Sequence, residues 1–256
     1  MKTRLFLALL GASAVTLPTF SSLALAKDGE LEDNYSKTWK GVATLRTLSK
    51  NEKTREMKAS YPVFSGLRSV AQVAGLVLKK DAINGFNAFA KDSKGTAQQL
   101  GLHDGMKYQY DFEPSLVLNR PRFISATTMF YSFTAGAHGI YGTSGYVFGY
   151  PKGATRPRQL HLADFFTDGA ASKRRIDTLL IAKLRATKGQ DQEATWIVDG
   201  ETKTLTNDLL ENFVAESDGL KWYFGPYAVG PYAAGEFEVK LTARELGPKF
   251  RAAMMR

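Results

Sequence analysis

Phe123-Ile-Ser-Ala-Thr-Thr-Met-Phe-Tyr-Ser-Phe-Thr134, the loop Ala135-Gly136-Ala137-His138-Gly139 and Thr143-Ser-Gly-Tyr-Val-Phe-Gly-Tyr150 form the stretch on which the fold turns. Both outer segments are rich in β-branched and aromatic residues, as a pleated, half-buried surface requires. Gly136, Gly139, Gly142 and Gly145 allow positive backbone angles and close approaches, so the stretch predicts a long hairpin with His138 at its turn.

Working outward, Tyr108, Tyr110 and Phe112 alternate in a strand running from Met106 to Leu118, and Pro114 breaks its phase, predicting a bulge or an edge. Asn119-Arg-Pro-Arg122 is the turn into the hairpin. Further upstream, Trp39 to Leu48 and Thr54 to Phe64 flank a polar turn, and Pro62 places the end of the second strand, or a sheet edge, at that point. Between Ser69 and Gly101 the period becomes helical, through Val70, Val73, Ala74 and Val77 and then Ile83, Phe86, Phe89 and Ala90, with the surest part near Asp81 to Lys91. Consecutive β segments with short turns predict an antiparallel meander. Downstream, Ile176, Leu179, Leu180 and Leu184 stripe a helix from about Ser172 to Lys188. Residues Gln190 to Leu210 are mixed, with Trp196 as their anchor. Asn212 to Phe224 spells a hairpin that turns Leu220, Trp222 and Phe224 inward, and Glu236 to Leu241 a final strand. No internal repeat or low-complexity stretch stands out. The fold class expected is α+β, a curved, mostly antiparallel sheet with helices packed on one face.

The hairpin loop, with Arg158-Gln-Leu-His-Leu-Ala-Asp-Phe-Phe166 and Gly219-Leu-Lys-Trp-Tyr-Phe-Gly-Pro-Tyr-Ala-Val-Gly-Pro-Tyr-Ala-Ala-Gly235, resembles an extracytoplasmic domain of unknown function found in lysozyme-sensing anti-sigma factors. It is similar, too, to the non-catalytic domain of some peptidoglycan deacetylases. Ser60-Tyr-Pro-Val-Phe-Ser-Gly66 and Ala82-Ile-Asn84 resemble the short N-terminal partner region of that domain, so the resemblance runs from about Tyr61 to Leu246. The loop departs from the pattern at Ala135, where a second glycine is expected. The resemblance implies a partner region over residues 37–102 and a main domain over 106–256, and it points to a cell-wall polymer or a wall-active enzyme such as lysozyme as partner.

The first 26 residues have the form of a secretory signal: Lys2 and Arg4, an apolar run from Leu5 to Leu17, and Ala24-Leu-Ala26 for cleavage. Pro18 and the hydroxyl residues after it cut the run short of the roughly 20 residues a membrane span needs. An exported chain in the periplasm, cell envelope or medium follows, with no integral span after cleavage. The sequence has no cysteine, so disulfides and thiolate metal sites are excluded. The formal net charge of +9 becomes +7 when Lys2 and Arg4 are removed, and favours anionic partners. Without a nucleic-acid module, nucleic acid is not an expected partner.

Neither a nucleophile elbow nor a zinc-protease helix nor a phosphate-binding loop is present, and the three histidines fit no short metal-ligand spacing. No catalytic residue, metal or cofactor is therefore assigned. The expected ligand-binding residues are His138, Gly136, Gly139 and Tyr141 on the hairpin, Arg156 and Arg158 beyond it, and Tyr227 and Tyr232 between their prolines. His103 with Asp104, and His161 with Asp164, are local capping pairs. Lys173-Arg-Arg175 at a helix start has the wrong sign for the helix dipole, and is either solvated surface or an anion site. The function expected is an exported, non-enzymatic envelope-binding protein recognising an anionic wall polymer or a wall-active enzyme; the alternative is a secreted hydrolase or deacetylase acting on peptidoglycan through His138 and nearby carboxylates.

Overall fold

The structure, a computed structural model, describes residues 37–65, 69–100, 106–189 and 192–256. The signal segment and the His103–Asp104 pair lie outside them.

Six strands form the main sheet in the order β1 (Ala43–Asn51), β2 (Arg55–Phe64), β3 (Tyr108–Arg120), β4 (Phe123–Phe133), β5 (Ile140–Gly149) and β6 (Arg158–Gln159). The architecture is α+β with a mostly antiparallel sheet, as expected. The simple meander is not: β2 and β3 pair in parallel, from Arg55 opposite Tyr108 to Ala59 opposite Phe112. A parallel pair needs a long crossover, and the helix α1 (Ser69–Leu100) supplies it. The expected boundary between partner region and main domain thus falls inside one continuous sheet.

α1 is a single helix, running straight through Gly75 and Gly85. Both glycines sit where the helix crosses the sheet: a Cβ on Gly75 would press on the Phe64 ring, and one on Gly85 would overlap the Tyr110 hydroxyl. Helix propensity is given up there for close approach. Val70, Ala71, Ala74, Leu78, Ala82 and Phe89 form the buried stripe.

The sheet has a core on each face, and strand alternation assigns residues to one or the other. Ile124, Ala126, Tyr146 and Phe148 face α1, while Phe123, Ser125 and Val147 face the opposite way. In β3 a register shift between Leu116 and Leu118 moves the chain from one face to the other. Leu116 pairs with Ala126 and packs on the helix side, whereas Leu118 pairs with Ser125 and joins the opposite core. The bulge lies there rather than at Pro114. Pro114 stays in register with Thr128 beyond the point where β2 pairing stops, and its carbonyl accepts the indole N–H of buried Trp39 at 2.9 Å. Pro62 is likewise on the part of β2 paired only with β1, so the strand continues to Phe64 along an edge. Trp39 itself precedes β1, in a helical turn.

On the far face lies a second sheet, β9 (Phe213–Glu216), β10 (Gly219–Phe224) and β11 (Phe237–Thr242), with β10 in the middle. Leu220, Trp222 and Phe224 are fully buried, as their spacing predicts. α2 (Ser172–Leu184) contributes Ile176, Leu180 and Leu184 to the same core and ends before Lys188, which enters the short strand β7 (Lys188–Gly189) paired with β8 (Gln192–Glu193). In the connection that follows, Ile197 is the buried anchor and Trp196 is only half-buried.

β9 crosses β5 so closely that a Cβ on Gly145 would land inside the Phe213 peptide. Gly136, by contrast, meets only the His138 carbonyl at ordinary contact distance. Gly145→Ala is therefore expected to lower the unfolding free energy by roughly 1–3 kcal/mol, the usual cost of overpacking. Gly136→Ala should stay within about 0.5 kcal/mol of wild type. Urea unfolding of both variants measures the contrast, and equal losses would refute it.

Candidate functional site

The outer edge of β5 is the frame of the site. β6 covers only Phe148 and Gly149, which leaves the outward backbone groups of Thr143, Gly145 and Val147 to be satisfied otherwise. Side chains do much of this. Glu236 accepts from the Thr143 N–H and from the Thr143 hydroxyl, each at 2.7 Å. Asn212 accepts from the Gly145 N–H at 2.8 Å and donates to the carbonyls of Thr143 and Tyr223. The Val147 carbonyl takes the Leu160 N–H at 2.7 Å. These bonds dock the second sheet and the segment before β11 onto the start of β5.

That segment carries two tyrosine turns. Gly225-Pro226-Tyr227-Ala228 closes with Ala228 N–H donating to the Gly225 carbonyl at 3.0 Å, and Tyr227 has φ +66°. Proline second and a positive φ third is the pattern of a type II turn, with tyrosine where glycine is usual. The same tetrapeptide recurs at 230–233, a short repeat that the sequence reading passed over, and there Tyr232 opens a 3-10 turn instead.

The hairpin loop meets these turns. His138 stacks on Tyr232 with ring centroids 3.6 Å apart and planes 20° from parallel. Tyr227 lies beside both, 5.7 Å from Tyr232 and 6.4 Å from His138 by centroid, and Tyr141 meets Tyr232 edge-on at 6.0 Å. Tyr131, cross-strand from Tyr141, fills the space over Gly139, where a Cβ would collide with its ring. None of Gly136, Gly139, Gly142 and Gly145 has a positive φ, and the loop's left-handed residue is Ala135 at +60°. The close approaches expected of these glycines are present at Gly139, Gly142 and Gly145. Positive angles are not.

His138 Nδ1 is 3.0 Å from the Gly139 carbonyl, which can only accept, so this nitrogen carries the proton. In the neutral ring Nε2 is then the acceptor, and it faces the Tyr227 hydroxyl at 3.4 Å. Both nitrogens address neutral partners. Burial pushes up the phenol of Tyr232, reinforced by Tyr141, Tyr131 and Tyr227, so the hydroxyl remains a donor at neutral pH. Among the described residues no group of three or more His, Cys, Asp or Glu could hold a metal ion.

Four expected site residues, His138, Tyr141, Tyr227 and Tyr232, therefore converge, with Gly139 beneath them and Gly136 on the exposed rim of the loop. Arg156 and Arg158 do not join them. Arg158 pairs with Gly149 at the opposite end of β5, about 30 Å away at the usual strand rise. Its guanidinium forks onto Asp164 at 2.7 and 2.9 Å, and Asp164 also accepts from His161 N–H, the expected cap. The basic turn of α2 is drawn into ion pairs, Lys173 with Glu211 and Arg175 with Asp168, leaving Arg174 on the surface.

Tyr131, Thr143 and Glu236 belong to the site and were missed in sequence. Burial raises the Glu236 carboxyl above its ordinary value, more than the Thr143 hydrogen bonds lower it. A raised folded-state pKa means that the ionised form is penalised by the fold, so this group costs stability as pH rises from about 4.3, its unfolded value. Glu236→Gln keeps an acceptor for the Thr143 N–H and removes the charge. Relative to wild type it should be equal in stability at pH 4 and equal or more stable at pH 7, while Glu236→Ala should lose roughly 1–3 kcal/mol at both. Thermal unfolding across that range checks the sign, and a Gln variant weaker at pH 7 than at pH 4 would refute it.

With this geometry in hand, comparison with known proteins gives two matches to family models. One described as a protein of unknown function, DUF3298, matches residues 163–243, and one described as deacetylase PdaC matches residues 48–141. No curated protein matches the chain. A DUF3298 family member from Bacteroides fragilis NCTC 9343, solved by crystallography, is similar at 16% identity and a TM-score of 0.51, covering 84% of this chain and 97% of that one. A DUF3298 family protein from Pseudomonas aeruginosa PAO1 is similar at 13% identity and a TM-score of 0.50, covering 80% and 92%. These structures share the fold. By sequence, the chain carries a domain of unknown function similar to DUF3298, preceded by a region similar to PdaC.

Proposed function

We propose that this chain is a non-enzymatic envelope-binding protein whose platform of His138, Tyr141, Tyr227 and Tyr232 stacks on the sugar rings of a wall glycan. The observation that carries the reading is Tyr227, a tyrosine 44% exposed and held at positive φ beside the stacked His138–Tyr232 pair. A non-glycine residue in that region is strained by about 1–2 kcal/mol, and such strain collects where a side chain is needed for binding. Exposed aromatic faces with hydroxyls at their rims suit pyranose rings, which offer C–H groups on one face and hydroxyls around the edge. The likeness to deacetylase PdaC and the resemblance to the non-catalytic domain of peptidoglycan deacetylases support a ligand of the cell wall.

Against an enzyme stands the setting of the polar groups. His138 faces a carbonyl and a phenol, and both Glu236 oxygens are occupied by Thr143. Against lysozyme as first partner stands charge. Glu211, Glu216 and Asp218, the acidic residues that would draw a basic enzyme, pair with Lys173, Lys221 and Lys240 within the chain itself.

Titration of the chain with N-acetylglucosamine oligomers and with purified wall glycan tests the proposal. His138→Ala and Tyr232→Ala should each weaken binding roughly 2- to 12-fold, the effect of losing one aromatic contact worth about 0.5–1.5 kcal/mol. Tyr227→Asn should weaken binding as well yet unfold no more easily than wild type, because asparagine tolerates the left-handed region. Tight lysozyme binding without glycan binding would replace this reading with the anti-sigma precedent. Wall-cleaving or deacetylating activity abolished by His138→Ala would replace it with the enzyme.

A further inference from the structure

Cations and carboxylates are distributed unevenly over this molecule. Around the second sheet they neutralise each other: Lys183 with Glu245, Lys221 with Glu216 and Glu238, and Lys240 with Glu216 and Asp218. At the end of the β4–β5 hairpin remote from His138 the pattern is different. The β3–β4 turn presents Arg120 and Arg122, and the loop after β5 presents Lys152, Arg156 and Arg158, all exposed. Register brings the two segments together, because Phe123 pairs with Gly149 and Gly149 with Arg158. Asp164 is the sole acidic residue in 119–126 and 149–164, and Arg158 occupies it. Arg120, Arg122, Lys152 and Arg156 have no carboxylate partner among the described residues.

Two of these arginines are held in place. The Arg122 guanidinium lies 3.9 Å over the Tyr150 ring, and the Tyr150 hydroxyl is fixed in turn by Ser69 at 2.7 Å. Arg122 stays exposed while it rests on the ring, so its guanidinium N–H groups remain accessible to an oxyanion. Arg158 is oriented by its two bonds to Asp164. The positive end of α1, which begins at Ser69 with no acidic residue in its first turn, adds to the same field.

We propose that this basic end is a second binding site, distinct from the aromatic platform, for the phosphate or carboxylate groups of an anionic envelope polysaccharide. Arginine predominates over lysine here, and its planar fork matches either oxyanion with paired hydrogen bonds. Opposite charge concentrated without internal neutralisation also accelerates encounter with a polyanion. The site stands on its own geometry, and only the assignment to the envelope rests on the function proposed above.

The test uses polygalacturonate and inorganic polyphosphate as separate probes, titrated against the chain at low and at physiological salt. Binding at low salt that weakens as salt rises is expected, since exposed charges are screened beyond about 8 Å at physiological ionic strength. The better probe identifies the oxyanion. Arg122→Ala with Arg156→Ala should weaken it roughly tenfold, and Arg156→Ala alone, at an exposed side chain with no hydrogen-bond or ion-pair partner among the described residues, guards against loss through misfolding. Lys91→Ala with Lys94→Ala, on the exposed side of α1, should change binding less than twofold. N-acetylglucosamine oligomer binding should be unaltered by the arginine variants, and polyanion binding unaltered by His138→Ala, so that either site can fail alone. Equal losses from the arginine and lysine pairs, no binding of either probe, or binding confined to anionic lipid vesicles would each overturn the proposal.

Discussion

The outer edge of β5 is the constraint on which the rest depends. A strand edge in the middle of a molecule must find partners for its N–H and C=O groups, and here no full-length strand supplies them. Asn212, Glu236 and the Leu160 backbone do so at Thr143, Gly145 and Val147. Each bond comes from a different part of the C-terminal half. Satisfying one edge therefore seats β9, positions the segment before β11 and ties the loop after β6 to the main sheet. The short side chain at Gly145 is part of the same solution, since the β9 backbone could not otherwise come within reach of β5.

The aromatic platform is a by-product of that docking. Glu236 sits four residues after Tyr232, so its anchorage at Thr143 holds the second tyrosine turn against the base of the hairpin loop. His138 then meets Tyr232 face to face without any hydrogen bond between them. Nothing local to the loop would impose this arrangement. The arrangement is held by a half-buried carboxylate just before β11 and an amide just before β9, which explains why aromatic residues about ninety positions apart in sequence form one surface.

Legibility followed the range of the interactions. The hairpin could be read because alternation and a glycine loop are properties of neighbouring residues, and so could the buried faces of β3 and β10. The continuity of α1 was obscured by Gly75 and Gly85, whose purpose appears only against Phe64 and Tyr110. Parallel pairing of β2 with β3 depends on where the crossover helix returns the chain, which no local pattern encodes. Arg156 and Arg158 are near the hairpin in sequence and far from His138 in space, because ten residues of extended chain separate the two ends of β5. For Lys173 and Arg175 the sequence leaves solvated surface and anion site both open, because their partners Glu211 and Asp168 are brought beside them only by the fold. For the platform itself a signal did exist: the tetrapeptide Gly-Pro-Tyr-Ala written twice within nine residues. A proline fixes the angle of the residue after a turn's start, so the doubled motif displays two rings at defined orientations.

Backbone strain and the aromatic platform coincide in this fold. The two non-glycine residues with positive φ among those described, Ala135 and Tyr227, lie on the two segments that meet at His138. Either position would be easier for glycine, and a sequence shaped for stability alone would place one there. At Ala135 the methyl group packs against the core beneath α1, which gives it a use. Tyr227 is 44% exposed and stands beside Tyr232 at a centroid distance of 5.7 Å. Its hydroxyl faces His138 Nε2 at 3.4 Å, so the strained turn lies where the two segments meet. A fold shared at 13–16% identity says where a site can be built. A tyrosine in a glycine's conformation marks a place where the backbone departs from what stability alone would choose.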